Sequence, residues 1–275
     1  MFLRNSLKST ANMKDVLEEI LAHKRLELAT LKNNLSPRFL YGEVEKLMLQ
    51  DMPVYSMSQA LRESSSGIIA EFKRKSPSKG WIRKDALPQK IVPSYAQNGA
   101  SALSILTDEH YFGGSAQFIR DVRPLVQTPI LRKEFIVDEY QLFEAKHMGA
   151  DAVLLIAAAL PLAACRKLID LAHELRLEIL LELHAEHELD YAGLEADMLG
   201  VNNRNLGTFV TDIQNSFRMI TRLPQERVLV SESGISSPET VHHLRQAGYR
   251  GFLMGENFMK EPDPGMALKQ FIAAL

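Results

Sequence analysis

The sequence is poor in cysteine and tryptophan, has almost no net charge, and has no long uninterrupted apolar run. Its 275 residues include one cysteine, Cys165, which excludes an intramolecular disulfide framework. A formal net charge of −2 argues against a partner recognised mainly by charge, so we expect no nucleic acid partner. The longest apolar stretch, 152–164, is interrupted by Pro161 and is shorter than the roughly 20 residues of a membrane-spanning helix. We therefore expect no membrane contact either.

Two further kinds of signal are missing. Residues 1–10 contain Arg4 and Lys8 but lack the apolar segment and cleavage site of a secretory signal. We interpret them as a tail and expect a cytoplasmic protein. No Gly-x-Gly-x-x-Gly or Walker-type loop occurs, so no nucleotide cofactor is predicted. Cys165 lies in an apolar segment and is interpreted as a small core residue rather than a nucleophile.

The sequence does contain a regular alternation of apolar strands and helical stretches. Strands are predicted at 68–72, 102–106, 130–134, 152–156, 178–183, 198–202, 228–231 and 252–255. Helices are predicted at 88–98, 115–125, 139–148, 161–175, 186–191, 212–222, 238–246 and 264–274. Eight strands, each followed by a helix, require right-handed crossovers between parallel strands. In this length they favour an α/β fold of the (β/α)8 TIM-barrel type over an open sheet.

A helical extension precedes the first strand. Residues 12–33 are predicted to form an amphipathic helix, and a shorter helical piece is predicted at 44–49. The apolar positions of the first helix are Val16, Leu17, Ile20, Leu21, Leu26 and Leu28. We therefore expect a single domain over 1–275, with the tail and extension at 1–65 and the barrel at 66–275.

The end of the first strand is the most informative segment. Glu71 and Lys73 are two residues apart, so on a strand their side chains share one face. Ser76 follows in a loop where Pro77 and Gly80 prevent regular structure from continuing. The segment is built like one wall of a polar pocket. By itself it is equally compatible with a solvated, lysine-rich turn.

In a TIM barrel the functional groups lie at the carboxyl ends of the strands, and polar residues interrupt the apolar pattern there. Lys133 lies late in the third strand and Glu182 near the end of the fifth. Asn202 and Arg204, at the end of the sixth, are two residues apart and so share one face. Buried charges are costly unless they are paired. Lys133 and Glu182 therefore form either an ion pair that only closes the barrel or a general acid and a general base.

The last two strands end in glycine-bearing turns, at 231–234 and 254–256, where backbone N–H groups can approach a phosphate. Phe112 and Phe135 are candidates for an aromatic-ring pocket, although either could belong to the core. His184 and His187 have the spacing of metal ligands, but no third ligand is apparent, so no metal site is predicted.

In combination, these segments resemble the indole-3-glycerol-phosphate synthase family of tryptophan biosynthesis. The resemblance covers nearly the whole chain from about Asn12 and rests on residues 69–78, 106–108 with 112–115, 131–136, 200–206 and 231–235. It implies a lyase that closes the ring of 1-(2-carboxyphenylamino)-1-deoxyribulose 5-phosphate. Carbon dioxide and water leave, and indole-3-glycerol phosphate forms. No cofactor or metal is implied, and the helical extension would help to cover the active-site mouth.

The resemblance also implies roles for individual residues. Lys133 would be the acid that protonates the ribulose carbonyl, and Glu182 the base that assists the later loss of proton and hydroxyl. Lys73 would contact the substrate carboxylate and, in some proposals, supply the proton for dehydration. Glu71 would position the lysines and the substrate hydroxyls. Asn202 and Arg204 would organise the polar groups of the substrate.

The substrate-binding residues follow in the same way. The phosphate site would comprise Ser76, Gly234 and Gly255, with Glu232 and Ser233 beside it; the surface for the aromatic ring would comprise Phe112, Leu131 and Phe135. Glu256 departs from relatives that have serine there. Because a carboxylate would repel the phosphate, we expect Glu256 to turn outward.

The expected partner is a small phosphorylated substrate, and the expected oligomeric state is a monomer, with a weak dimer as the alternative. Two rival functions remain open at this point. One is an aldolase or isomerase on the same barrel, in which Lys133 forms a Schiff base. The other is a barrel that binds a phosphorylated ligand without turnover.

Overall fold

A computed structural model describes residues 15–50 and 53–275 of the chain. Eight parallel strands close into a barrel: β1 (Ile68–Phe72), β4 (Ala102–Leu106), β5 (Ile130–Lys133), β6 (Ala152–Ile156), β7 (Glu178–Leu183), β8 (Met198–Asn202), β9 (Val228–Glu232) and β10 (Gly251–Met254). Between β1 and the next barrel strand lies a two-stranded hairpin, β2 (Lys75–Ser76) and β3 (Gly80–Trp81). The predicted (β/α)8 TIM barrel is confirmed.

The barrel strands lie where the apolar runs predict them. Five match the prediction at both ends, and the other three are shifted by a single residue at one or both ends. The third predicted strand ends at Lys133 because Glu134 turns its carboxylate back to accept the backbone N–H of Phe135. The hairpin was not predicted, since two-residue strands are too short to show a period.

The predicted helices of the barrel are present as α4 (Pro88–Gln97), α6 (Ala116–Val122), α7 (Tyr140–Met148), α8 (Leu162–Glu174), α9 (Gln214–Met219), α10 (Pro238–Ala247) and α12 (Pro264–Ala273). The stretch predicted at 186–191 is a 3-10 helix, Glu186–Gly193. The helices predicted at 115–125 and 212–222 each end in a short 3-10 turn, Arg123–Leu125 and Ile220–Arg222. Two single-turn helices, α5 (Glu109–Phe112) and α11 (Glu256–Met259), were not predicted.

The extension before β1 contains α1 (Asp15–Asn34), α2 (Pro37–Met48) and α3 (Met57–Glu63). The predicted helix start at residues 12–14 lies outside the described residues. The second helix begins at Pro37 rather than near residue 44, because Ser36 caps it by accepting the N–H of Phe39 and proline suits the first helical position. The third helix was missed, although Ser56 caps it in the same way.

Two apolar layers form the core, one inside the barrel and one between the strands and the outer helices. The interior layer is continued at one end by Met57 and Leu61 of α3 and at the other by Ile20 and Leu21 of α1. The extension therefore packs against both ends of the barrel. As predicted, Cys165 is a buried core residue, and burial raises the pKa of its thiol to about 12. Among the described residues, none of the helices combines the length and the apolar character that crossing a membrane requires.

Candidate active site

A cavity of about 410 Å³ lies at the carboxyl ends of the barrel strands. Its base is formed by charged and polar side chains from β1, β5, β7, β8 and β9, and its rim by the hairpin and by the turns after β9 and β10. Of the fifteen predicted site residues, all but Leu131 line this cavity. The predicted residues that line it are Glu71, Lys73, Ser76, Phe112, Lys133, Phe135, Glu182, Asn202, Arg204, Glu232, Ser233, Gly234, Gly255 and Glu256.

Lys133 lies between two carboxylates at the base of the cavity. Its Nζ is 3.1 Å from Oε2 of Glu182 and 3.0 Å from Oε2 of Glu232. Close by, Nζ of Lys73 donates to Oε1 of Glu71 over 2.6 Å. Glu71, Lys133, Glu182 and Glu232 lie on four separate strands and project inward because alternate residues of a strand face the barrel interior; Lys73 directly follows the first of these strands. The cavity base thus holds two ammonium groups and three carboxyl groups.

The electrostatics of this cluster keep Lys133 protonated and Glu182 ionised. Burial lowers the pKa of Lys133, but Glu182 and Glu232 raise it by more, so the side chain remains an ammonium ion. Burial raises the pKa of Glu182, yet Lys133 and His184 bring it below its ordinary value and keep it ionised. Burial also raises the pKa of Glu232; Lys133 opposes this, but the neighbouring Glu182 adds to it and the net shift is upward. A proton donor and an ionised acceptor therefore lie side by side.

Asn202 and Arg204 connect the base of the cavity to its rim. Oδ1 of Asn202 accepts the backbone N–H of Arg204 over 2.9 Å. The guanidinium of Arg204 donates to Oγ of Ser78 in the hairpin over 3.0 Å, while its buried Nε has no partner among the described residues. Arg204 thus joins the end of β8 to the loop after β1 and retains a free donor.

Features of an anion site occur at the other end of the cavity. Oγ of Ser76 is buried and unpaired within the described part of the chain. Gly234 has φ +77°, and a Cβ there would lie 2.7 Å from Cγ2 of Thr211. At Gly255 a Cβ would lie 2.5 Å from Oε1 of Glu71. Both glycines line the cavity, and neighbouring side chains leave no space for a Cβ at either position.

The expectation that Glu256 turns outward is wrong. Its carboxylate borders the cavity and is paired with Nζ of Lys79 from the hairpin turn. Burial alone would raise the pKa of Glu256, but the hydrogen bond and charge of Lys79 lower it overall. Because Lys79 compensates the negative charge, this carboxylate can lie near an anion with little repulsion. Lys79 was not predicted as a site residue.

Phe112 and Phe135 form an apolar wall, with ring centroids 6.2 Å apart and planes tilted by 36°. Leu131 lies deeper than predicted. It is fully buried in the interior layer of the barrel, two residues before Lys133 on the same strand. Strand alternation predicted the correct face of β5 for Leu131 but could not show its depth. Sequence reasoning missed further lining residues, among them Leu206, Phe209, Thr211 and Lys260.

Lys24 of α1 was also missed, although the sequence contained a signal for it. Its ammonium group is almost fully buried and lies 2.9 Å from Asp108 and 3.0 Å from Glu134. Asp108 follows β4 and Glu134 follows β5, so this cluster fastens α1 beside the cavity mouth. Lys24 is spaced four residues from both Ile20 and Leu28 and so lies on the apolar stripe of the helix. A lysine on such a stripe indicates a buried partner.

The two histidines with metal-ligand spacing take different positions. His184 is buried, with Nε2 3.2 Å from Oε1 of Glu182, whereas the side chain of His187 is 80% exposed. Across residues 15–50 and 53–275, no group of three or more His, Cys, Asp or Glu side chains is arranged to hold a metal ion.

The closed parallel barrel, with its charged cavity at the carboxyl ends of the strands, defines the chain as a TIM-barrel enzyme. Among solved structures, a tryptophan synthase α-subunit from Pyrococcus furiosus aligns with a TM-score of 0.59 and 14% identity, covering 77% of this chain and 98% of its own. The tryptophan synthase α-subunit of Legionella pneumophila aligns with a TM-score of 0.58 and 13% identity, over 81% and 97%. At these identities the likeness concerns the fold alone.

Sequence relatives identify the family. The family model for indole-3-glycerol phosphate synthase matches residues 17–271. An indole-3-glycerol phosphate synthase from Bacteroides thetaiotaomicron is 58% identical over 266 residues, covering 96% of this chain and 100% of the relative. One from Chromobacterium violaceum is 42% identical over 263 residues, covering 95% and 99%. The chain belongs to the indole-3-glycerol phosphate synthase family.

Proposed function

We propose that this protein converts 1-(2-carboxyphenylamino)-1-deoxyribulose 5-phosphate into indole-3-glycerol phosphate, carbon dioxide and water. One observation carries the proposal: Lys73, Lys133 and Glu182, which are distant in the sequence, line one cavity whose other end has the features of an anion site. Family membership supports the same reaction.

In the proposed mechanism, Lys133 is the general acid. As the aromatic carbon attacks the ribulose carbonyl, the ammonium group donates a proton to the carbonyl oxygen. Its position between Glu182 and Glu232 supports this role, because the carboxylates keep it protonated until a stronger local base forms. After carbon dioxide has left, Glu182 accepts a proton from the newly closed ring, and the hydroxyl group takes up a proton from Lys73 and departs as water. Lys73, held by Glu71, is proposed to bind the substrate carboxylate and assist this last step.

Substrate orientation is proposed to depend on the two ends of the cavity. The phosphate would bind at Ser76, Gly234 and Gly255, where a buried hydroxyl has no partner in the part of the chain that the structure describes and both glycines line the cavity. The aromatic ring would lie against Phe112 and Phe135. Asn202, Arg204 and Ser233 would contact the polar groups between these ends.

The Schiff-base alternative is less compatible with this site. An amine must lose its proton before it can attack a carbonyl, and Lys133 is held as an ammonium ion by two carboxylates. Binding without turnover is also disfavoured, because acid and base groups are both present at the cavity base.

The test is to incubate the purified protein with the carboxyphenylamino substrate and follow indole fluorescence. We expect fluorescence to rise with release of one carbon dioxide per product. A parallel reaction with borohydride should give no protein adduct by mass spectrometry. A silent fluorescence trace from folded protein would overturn the synthase proposal, and a borohydride-trapped adduct on Lys133 would replace it with Schiff-base chemistry.

A further inference from the structure

His184 occupies a position next to the proposed base that the mechanism above does not use. It follows β7 immediately, two residues after Glu182, so the two side chains project from the same face of the chain. Nε2 of His184 lies 3.2 Å from Oε1 of Glu182, and the imidazole is only 11% exposed. The other oxygen of Glu182, Oε2, is 3.1 Å from Nζ of Lys133. Each carboxylate oxygen of Glu182 thus faces one nitrogen.

The backbone of His184 is held in place by two hydrogen bonds. The backbone N–H of His184 donates to Oε2 of Glu188 over 2.5 Å, and Nδ1 of the ring lies 3.9 Å from the same oxygen. The carbonyl of His184 accepts a hydrogen bond from Nδ2 of Asn215 over 2.9 Å. His184 lies outside the set of residues that line the cavity, so it reaches the reacting groups only through Glu182.

The local charges favour a protonated imidazole. Three carboxyl groups lie near the ring, two from strands (Glu182 of β7 and Glu232 of β9) and one from the 3-10 helix (Glu188). Burial lowers the pKa of His184, but the close approach and charge of Glu182 raise it by more, with smaller contributions from Glu188 and Glu232. At the cavity base, Lys73 and Lys133 supply two positive charges against the three carboxyl groups of Glu71, Glu182 and Glu232. A cationic His184 supplies a third positive charge.

We propose that His184 is a positioning residue for Glu182: its imidazolium fixes the carboxylate against rotation and keeps it ionised as the base. The arrangement follows the general pattern in which a catalytic base is oriented by a third group. This inference rests on the proposed function, because Glu182 must act as the base for its orientation to affect turnover.

Three variants test the proposal. His184→Gln retains a hydrogen-bond donor without the charge, and His184→Met removes both. His187→Gln is the matched control, because this neighbouring histidine is exposed to solvent. We expect kcat to fall about 10-fold in His184→Gln and about 10²-fold in His184→Met, within the range of acid–base contributions, while KM changes less than about 2-fold. The control should match the wild type.

The pH dependence of kcat distinguishes positioning of Glu182 from a purely structural role, because a structural role would leave it unchanged. Removal of a cation beside Glu182 raises the pKa of that carboxyl group, so the ionised base is lost at a higher pH. The acid limb of the kcat profile should therefore move upward by about one unit in His184→Gln. Unchanged kcat and an unchanged acid limb in both His184 variants would overturn the proposal. The proposal would also be overturned if kcat fell only in proportion to the loss of folded protein, as measured by circular dichroism.

A second measurement requires neither turnover nor a stable His184 variant. The ring of His184 can be titrated by NMR in the complete protein, in the wild type and in Glu182→Gln. We expect the midpoint to fall by about one unit or more in Glu182→Gln, because an attractive negative charge is lost. An unchanged midpoint would overturn the pairing. If the midpoint of His184 does fall in Glu182→Gln but the wild type shows no synthase activity, the proposed function is overturned and the pairing of His184 with Glu182 stands.

Discussion

Two buried lysines, Lys24 and Lys133, make closely similar contacts in different surroundings. The side chain of Lys24 is 2% exposed and lies near Asp108 and Glu134. The side chain of Lys133 is 15% exposed and lies near Glu182 and Glu232. In both cases burial lowers the pKa of the ammonium group and the neighbouring carboxylates raise it by more. The ion pairs alone do not distinguish the two clusters.

Access of the ammonium group to the cavity does distinguish them. Lys133 lines the cavity, where a ligand could take part in its hydrogen bonds; Lys24 does not line it, although its partner Glu134 does. The ammonium of Lys24 is enclosed between α1 and the ends of β4 and β5, and it also contacts Glu27 of its own helix. Lys133 and Glu134 are adjacent in the chain, yet their side chains belong to different clusters. A buried ion pair therefore indicates catalysis only when it also faces space that a substrate can enter.

The largest expected effect on turnover comes from Lys133→Met. If Lys133 is the general acid, kcat should fall at least ~10²-fold. The fold should be retained because Glu182 keeps His184 beside it, and Glu232, whose pKa is already raised, can take up a proton. Steady-state fluorescence assays and circular dichroism measure the two quantities. A folded variant with near-normal kcat would remove the functional distinction between the two lysines.

Lys24→Met should show the opposite pattern. Loss of the ammonium leaves Asp108 and Glu134 buried without their cation, which typically costs about 3–5 kcal/mol of unfolding free energy. Urea denaturation measures this loss, and kcat per folded molecule should change far less than in Lys133→Met. If stability were unaffected while turnover was lost, the assignment of Lys24 as a structural anchor of α1 would be wrong.

Gly234→Val tests the anion end of the cavity. A branched side chain at φ +77°, with Cβ close to Thr211, would obstruct the proposed phosphate position. We expect the substrate dissociation constant to rise about 10–100-fold, equivalent to the loss of one or two charge-assisted hydrogen bonds. Binding can be measured by calorimetry with the Lys133→Met background, which prevents turnover. Gly193→Val is the control, since a Cβ there meets nothing within 4 Å. Equal affinities in both variants would contradict the phosphate assignment.

The smallest expected effect concerns Lys79. Lys79→Met leaves the carboxylate of Glu256 uncompensated beside the proposed phosphate, so KM should rise about 2–5-fold, a size typical of partly exposed pairs. Adding Glu256→Gln to this variant should restore much of the loss. Because exposed charges are screened by salt, the effect should shrink at high ionic strength. If the double variant binds no better than Lys79→Met, charge repulsion is not the cause.

Much of the fold was predictable because strongly apolar strands and their helix punctuation are local signals. The eight barrel strands were predicted within one residue at each end, and the rule on strand ends then located the cavity. Short elements were not predictable, since the hairpin and α5 have no period to detect. The depth of Leu131 and the orientation of Glu256 also escaped prediction. Both depend on neighbours from other strands or from the hairpin.

The amino-acid sequence by itself determined the strand pattern, the barrel and the chemical types available at its open end. Only the tertiary structure decided which charges meet. Lys133 is separated along the chain from Glu182 by 49 residues and from Glu232 by 99, and nothing local specifies either pairing. The same holds for Lys24 and for the imidazole of His184. Closure of the barrel brings strands that are distant in sequence to one edge, and burial there makes each unpaired charge costly enough to fix its partner.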